Sequence, residues 1–253
     1  MAAINKANTG PARSEASGTV SLAGRVALVT GGSRGIGRAI ALRLAGLGAA
    51  VAICGRDKKA LEATSAELKK QTKQVLSQTA DVTRSSDVNG LVSKTEADLG
   101  PISILVNNAG IGLFGPMQEK SEAEWDLVLN TNLRSVFLVS RAVVPSMIRQ
   151  GAGDIVNISS LAGKNTFAGG GIYCASKWGL QGLSGCMAED LRDHGIRVSV
   201  ICPGSVATEF GRAAKDPAKA LLPEDVAQAV AAVLTPRRQS FVSEIDMRPL
   251  RKS

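Results

Sequence analysis

Seven short strand-like runs alternate with helix-forming sequence along this chain, and that alternation leaves few folds open to it. Val26-Ala27-Leu28-Val29 ends in Thr30-Gly31-Gly32 and leads into a helical stretch from about Gly35 to Gly46. Ala50-Val51-Ala52-Ile53-Cys54 stops at Gly55-Arg56-Asp57, and helix-favouring sequence follows from about Lys58 to Gln71. A third strand is expected to end at Asp81, and a fourth runs from Ile102 to Val106 before Asn107-Asn108-Ala109-Gly110. Asp154 to Ile158, Arg197 to Ile201 and Ser240 to Ile245 complete the set, the last being mixed in polarity. Continuous apolar strands alternating with amphipathic helices predict a parallel sheet covered on both faces. Right-handed crossovers between them give a doubly wound α/β domain.

No linker-like composition breaks residues 22–246, so residues 22–253 are read as one domain. Residues 1–21 are rich in Ala, Ser, Thr, Asn and Gly without a period, and are expected to form a flexible tail, with a transit peptide as the alternative. No segment approaches about eighteen uncharged apolar residues, which argues against a membrane span. Lys and Arg outnumber Asp and Glu 30 to 22, a net charge of +8 that would suit nucleic acid, anionic lipid or phosphate-bearing small molecules. Aromatics make up only 3% of residues and form no basic–aromatic strip, so nucleic-acid binding is not expected.

Cys54, Cys174, Cys186 and Cys202 form no C-x-x-C, which predicts reduced thiols and a cytoplasmic setting. The single histidine, His194, beside Asp193 and Gly195, reads as a cation at a helix end, and no metal site is expected.

Thr30-Gly31-Gly32-Ser33-Arg34-Gly35-Ile36-Gly37 lies between the first strand and the first helix. Glycines there permit close backbone approach, and a pyrophosphate can rest on amides at the positive end of the helix. The spacing is G-x-x-x-G-x-G rather than the commoner G-x-G-x-x-G.

Together with Asn107-Asn108-Ala109-Gly110, Ser160 and Tyr173-Cys174-Ala175-Ser176-Lys177, this turn resembles the short-chain dehydrogenases/reductases, particularly the 3-oxoacyl-(acyl carrier protein) reductase type. The resemblance runs over residues 22–247 and implies a single-domain Rossmann fold with a seven-stranded parallel sheet. It also implies a nicotinamide dinucleotide cofactor. Gly31, Ser33, Arg34, Gly35, Ile36 and Gly37 would cradle it, Asp81 and Val82 would meet its adenine, and Asn108, Ala109 and Gly110 would line its ribose. Pro203-Gly204-Ser205-Val206-Ala207-Thr208 matches the family's P-G-x-V-x-T, so Pro203, Gly204, Val206 and Thr208 would flank the nicotinamide. Arg34 and Arg56, where NAD-binding chains place an acidic residue, favour the extra phosphate of NADP(H).

Tyr173 and Lys177 are four apart in a predicted helix and share one face, roughly 5–6 Å apart at Cβ. A nearby ammonium is expected to lower the phenol from its free pKa of about 10. By resemblance, Tyr173 is the proton donor, Lys177 also binds the nicotinamide ribose, and Ser160 polarises the carbonyl, with Ser159 the alternative that spacing disfavours. Asn132 would anchor a water linked to Lys177, or satisfy backbone at a helix kink. Cys174 is expected to pack.

The segment from Glu209 to Leu222 is shorter than the family's usual lid, predicting an open site. Arg212, Lys215 and Lys219 would attract an acyl carrier protein or coenzyme A, or form a solvated face. The C-terminus departs from the family's glycine-containing end, leaving homodimer and homotetramer open, with Val136, Phe137, Val139 and Val143 serving core or interface. The expected activity is NADPH-dependent reduction of a carbonyl, plausibly a 3-oxoacyl thioester in fatty acid biosynthesis. The alternatives are a secondary-alcohol dehydrogenase, a broad ketone and aldehyde reductase, and a non-catalytic NADP sensor or scaffold.

Overall fold

A computed structural model of the chain describes residues 21–210, 219–235 and 239–251. Residues 1–20 of the expected tail lie outside the described residues, as do Arg212 and Lys215. The elements are β1 (Val26–Thr30), α1 (Gly35–Gly46), β2 (Ala50–Gly55), α2 (Lys58–Leu68), β3 (Val75–Thr79), α3 (Ser85–Leu99) and β4 (Ile102–Asn107). They continue with α4 (Glu122–Leu129), α5 (Ser135–Gln150), β5 (Gly153–Ile158), α6 (Gly171–Leu191), β6 (Ile196–Pro203), α7 (Pro223–Val233) and β7 (Glu244–Met247).

The seven strands form one sheet in the order β3-β2-β1-β4-β5-β6-β7, and every neighbouring pair is parallel. This is the doubly wound architecture expected from the alternation. Two apolar cores cover the two faces. Leu44, Leu61 and Val230 join Val29 and Ile53 on one, while Leu91, Val143 and Met147 join Leu28 and Leu105 on the other. Each fully buried Leu or Ile contributes about 1.5–3 kcal/mol relative to exposure, which is why the central strands are dominated by apolar residues.

Local chemistry sets the helix ends. The Asp57 carboxylate caps α2 by accepting from the Ala60 amide at 3.0 Å, and Ser121 with Glu124 forms a capping box on α4. Gly151, at φ +63°, ends α5 in the left-handed region.

α4 and α5 join through a π turn at Asn130–Arg134, giving a continuous helix of 29 residues. By length and composition this helix could cross a membrane, but half of its apolar window is buried inside the protein. Of the residues expected to serve core or interface, Val136, Val139 and Val143 are buried, whereas Phe137 is exposed with the Arg141 guanidinium over its ring.

The last strand differs from its expected span, Ser240 to Ile245. Phe241 and Val242, which suggested a strand, are exposed. The paired residues are Glu244 to Met247, where Ile245 and Met247 pack on the core between outward-facing acids. An edge strand buried on one face shows alternation rather than an apolar run.

At the amino ends of the strands, Asp154 accepts from Arg25 at 2.6 Å and from Arg197 at 2.6 Å. This clamp across β1, β5 and β6 lies at the edge away from the carboxyl ends. Strand order reverses between β1 and β4, so the crevice for a ligand falls at the carboxyl ends of those two strands.

Candidate active site

The turn after β1 is shaped by the turn after β4. The Thr30 hydroxyl accepts from the amides of Asn108 at 3.0 Å and Ala109 at 3.1 Å. In return the Asn108 side chain donates to the carbonyls of Thr30 at 3.0 Å and Gly31 at 3.1 Å. Gly31 and Gly35 hold φ of +64° and +54°, and a Cβ on Gly37 would collide with the Gly31 carbonyl and the Asn108 amide. A Cβ on Gly35 would instead project toward Thr208, 3.4 Å away. No side chain caps α1, so the first-turn amides stay available to an anion. These residues fit a pyrophosphate.

At the β2 end, the Ser33 hydroxyl lies against Gly55, and Arg56 follows directly. Asp57 is committed to capping α2, so its charge does not face Arg56 as a partner. Partial burial raises the Asp81 carboxyl, but hydrogen bonds from Thr83 and the charges of Arg56 and Arg84 outweigh it and hold the group below its ordinary value. Arg34 lies 3.6 Å from Glu209 in an exposed pair. A serine hydroxyl and a guanidinium at this end suit a second phosphate better than a bare ribose.

The other end holds Ser160, Tyr173 and Lys177. Ser160 ends β5's loop in extended backbone and accepts from the Ala162 amide at 3.1 Å. Its hydroxyl is close enough to the Tyr173 phenol to favour the ionised form. The neighbouring Ser159 hydroxyl is buried with no hydrogen-bond partner. Lys177 donates to the Ile158 carbonyl at 2.9 Å, and its Nζ lies 5.8 Å from the Tyr173 ring centre. Both side chains are buried.

Burial decides the protonation of this pair. It pushes the Tyr173 phenol up to about 12, against a small opposing effect of Ser160. It lowers the Lys177 ammonium to about 8. The sequence expectation of a lowered phenol is therefore corrected: among the protein's own groups, loss of water dominates and raises it.

One cleft of about 1270 Å³ joins both ends. Every residue expected from the sequence to bind cofactor or act in catalysis lines it except Asn132. The Asn132 carboxamide accepts from the Ile111 amide at 2.8 Å and donates to the Ile111 carbonyl at 2.9 Å and to the Ser176 hydroxyl at 3.0 Å. Ser176 donates in turn to the Tyr173 carbonyl at 2.7 Å. This geometry satisfies backbone at a kink, here the π turn, which is one of the two roles expected for Asn132. Gly110 allows the approach, since a Cβ there would lie 3.3 Å from the Asn132 oxygen.

Cys174 packs, with its thiol 3.7 Å from the Asn165 carbonyl. The lid's ends are pinned by the Ala207 amide donating to Leu221 at 2.8 Å and the Leu221 amide donating to Ser205 at 2.9 Å. Cys202, Glu244 and Asp246 cluster closely, but the Lys164 ammonium bridges the two carboxylates at 2.7 and 2.8 Å and supplies their counter-charge.

Sequence reasoning missed Phe114, Phe167, Phe210 and Arg248, which also line the cleft. Their signal was position: each phenylalanine sits in a loop carrying a recognised motif, four residues after Gly110, between Ser160 and Tyr173, and two after Thr208.

The family model of the short chain dehydrogenases matches residues 25–219. The chain is 40% identical over 190 residues to gluconate 5-dehydrogenase of Gluconobacter oxydans, covering 75% of this chain and 74% of that one. It is 39% identical over 197 residues to the 3-oxoacyl-(acyl-carrier-protein) reductase of Haemophilus influenzae, covering 78% and 80%. Among solved structures, a metagenomic short-chain oxidoreductase in complex with NADP matches with a TM-score of 0.82 at 43% identity, over 91% of this chain and 99% of that one.

Proposed function

The chain belongs to the short-chain dehydrogenases, and on that premise we propose that it is an NADPH-dependent reductase converting a carbonyl to a secondary alcohol. The observation that carries this reading is the meeting of Ser160, Tyr173 and Lys177 in one cleft with the uncapped turn of α1 and Arg56. NADPH, when bound, supplies the hydride. Tyr173 would give its phenolic proton to the carbonyl oxygen as the carbon is reduced, so that the product is the secondary alcohol. Ser160 orients the carbonyl oxygen toward the phenol, and Lys177 places positive charge beside it and holds the nicotinamide ribose. Alignment and a poised proton are the protein's contributions.

Similarity to a 3-oxoacyl reductase favours a 3-oxoacyl thioester as substrate, with acyl carrier protein or coenzyme A as its handle. Similarity to a gluconate dehydrogenase favours a second reading, interconversion of a hydroxy and an oxo acid. A cytoplasmic homo-oligomer acting in fatty acid biosynthesis accords with the first. The test is NADPH consumption with acetoacetyl-CoA beside 5-ketogluconate. Turnover of the thioester supports the first reading, and turnover of the sugar acid alone replaces it with the second.

The cofactor assignment has its own test. In Arg56→Asp, NADPH affinity is expected to fall about 10- to 100-fold, the equivalent of losing about 1.5–3 kcal/mol of charged hydrogen bonding. NADH affinity should hold or improve. Equal losses for both nucleotides in a fluorescence titration would remove Arg56 from phosphate recognition.

A further inference from the structure

Aromatic side chains are scarce here, two Trp, one Tyr and five Phe in 253 residues, yet four of the eight meet at one point. Phe114 lies edge-on to Tyr173 with ring centres 5.4 Å apart. Phe167 tilts against Phe114 at 5.9 Å, and Phe210 approaches Tyr173 at 6.0 Å. The three phenylalanines come from the loops following β4, β5 and β6 and Tyr173 from α6, so no local sequence preference gathers them. Nor are they hidden as core residues would be. Phe167 is 50% exposed and Phe210 40% exposed, and both border the cleft. Concave apolar surface left open to water beside a reactive group marks the place of an apolar ligand.

We propose that Phe114, Phe167 and Phe210 enclose the substrate, and that the site takes a carbonyl bearing an apolar ring or chain and disfavours polyhydroxy compounds. This rests on the reductase reading above. The rings offer faces and edges for an aryl or alkyl group but no hydrogen bonds for hydroxyls stripped of water. The amide nitrogen of nearby Asn165 is already engaged, donating to the Leu161 carbonyl at 3.1 Å. A hydroxyl packed against these three rings loses hydration without replacement, whereas each methylene buried there raises kcat/KM about fourfold.

The experiment compares kcat/KM with NADPH for acetophenone, a series of straight-chain methyl ketones, acetone and 5-ketogluconate. The expected result is a rise along the chain series and a polyol at least about a hundredfold poorer than the best apolar ketone, as several unpaired hydroxyls require. Relative activity of acetophenone and the chain ketones tells ring from chain as the natural substituent. Phe167→Ala should raise KM for the apolar ketones about tenfold or more, with a smaller loss on acetone, leave NADPH affinity unchanged, and be rescued by Phe167→Leu. Preference for the polyol, or equal losses on every ketone, would overturn the enclosure and leave the reductase reading intact. Saturable binding of acetophenone to the NADP⁺ complex, weakened by Phe167→Ala but without turnover of any carbonyl, would sink the reductase reading and support the enclosure.

Discussion

Replacing Tyr173 with phenylalanine is expected to lower kcat by about 10²- to 10⁴-fold, the usual worth of a positioned general acid. NADPH affinity should be unchanged. The substitution removes a single oxygen and keeps the ring that packs against Phe114 and Phe210, so the cleft retains its walls. Burial holds the phenol up to about 12, which keeps Tyr173 protonated across the physiological range. That is the state needed for donating to a developing alkoxide. Steady-state turnover paired with a cofactor titration separates the two properties. A Tyr173→Phe protein with wild-type turnover would end the acid assignment.

Lys177→Met is expected to lose as much turnover and, unlike the tyrosine variant, to bind NADPH more weakly. The lysine is buried, with its Nζ fixed on the Ile158 carbonyl and 5.8 Å from the Tyr173 ring centre. Its ammonium, lowered to about 8 by burial, sets a limb of the pH profile. For carbonyl reduction, wild-type kcat/KM should fall as pH rises through about 8, because the charge beside Tyr173 is then lost.

The linked effect on stability has the opposite sense. An unfolded lysine titrates at about 10.4. Between about 8 and that value the unfolded chain binds the extra proton, so Lys177 makes the fold gain stability with rising pH. Below that window the full cost of the buried charge applies, and Lys177→Met should melt higher than wild type at neutral pH. A lower melting temperature together with an unshifted pH limb would show that burial of this charge is not the controlling effect.

Much of this was legible in the chain itself. β1 and β2 are buried on both faces and show it as near-continuous apolar runs, while β4, β5 and β6 remain dominated by Ile, Leu and Val around a few polar positions. The glycine turn, Ser160, Tyr173 and Lys177 were legible because each is fixed by short-range spacing. Other features depend on what arrives from elsewhere. Phe241 and Val242 suggested a strand, but edge pairing goes to the alternating residues after them. The acidity of Tyr173 follows from how much water the loops exclude, which i to i+4 spacing does not record. Asn132 turns from the cleft because the π turn brings Ile111 and Ser176 within its reach. The three phenylalanines converge from loops separated by dozens of residues, and only the order of the strands brings those loops together.

The reciprocal bonds between Thr30, Gly31 and Asn108 have a thermodynamic consequence. The nucleotide cradle is not a local loop motif but a joint between two strands, and it exists only when β4 has docked beside β1. A chain with that docking undone has no cradle to offer, so the dinucleotide discriminates between folded and open forms by mass action. At a hundredfold excess over its dissociation constant it would add about 2.7 kcal/mol to the folded state. The nucleotide supply would then govern how long the protein survives as well as how fast it works.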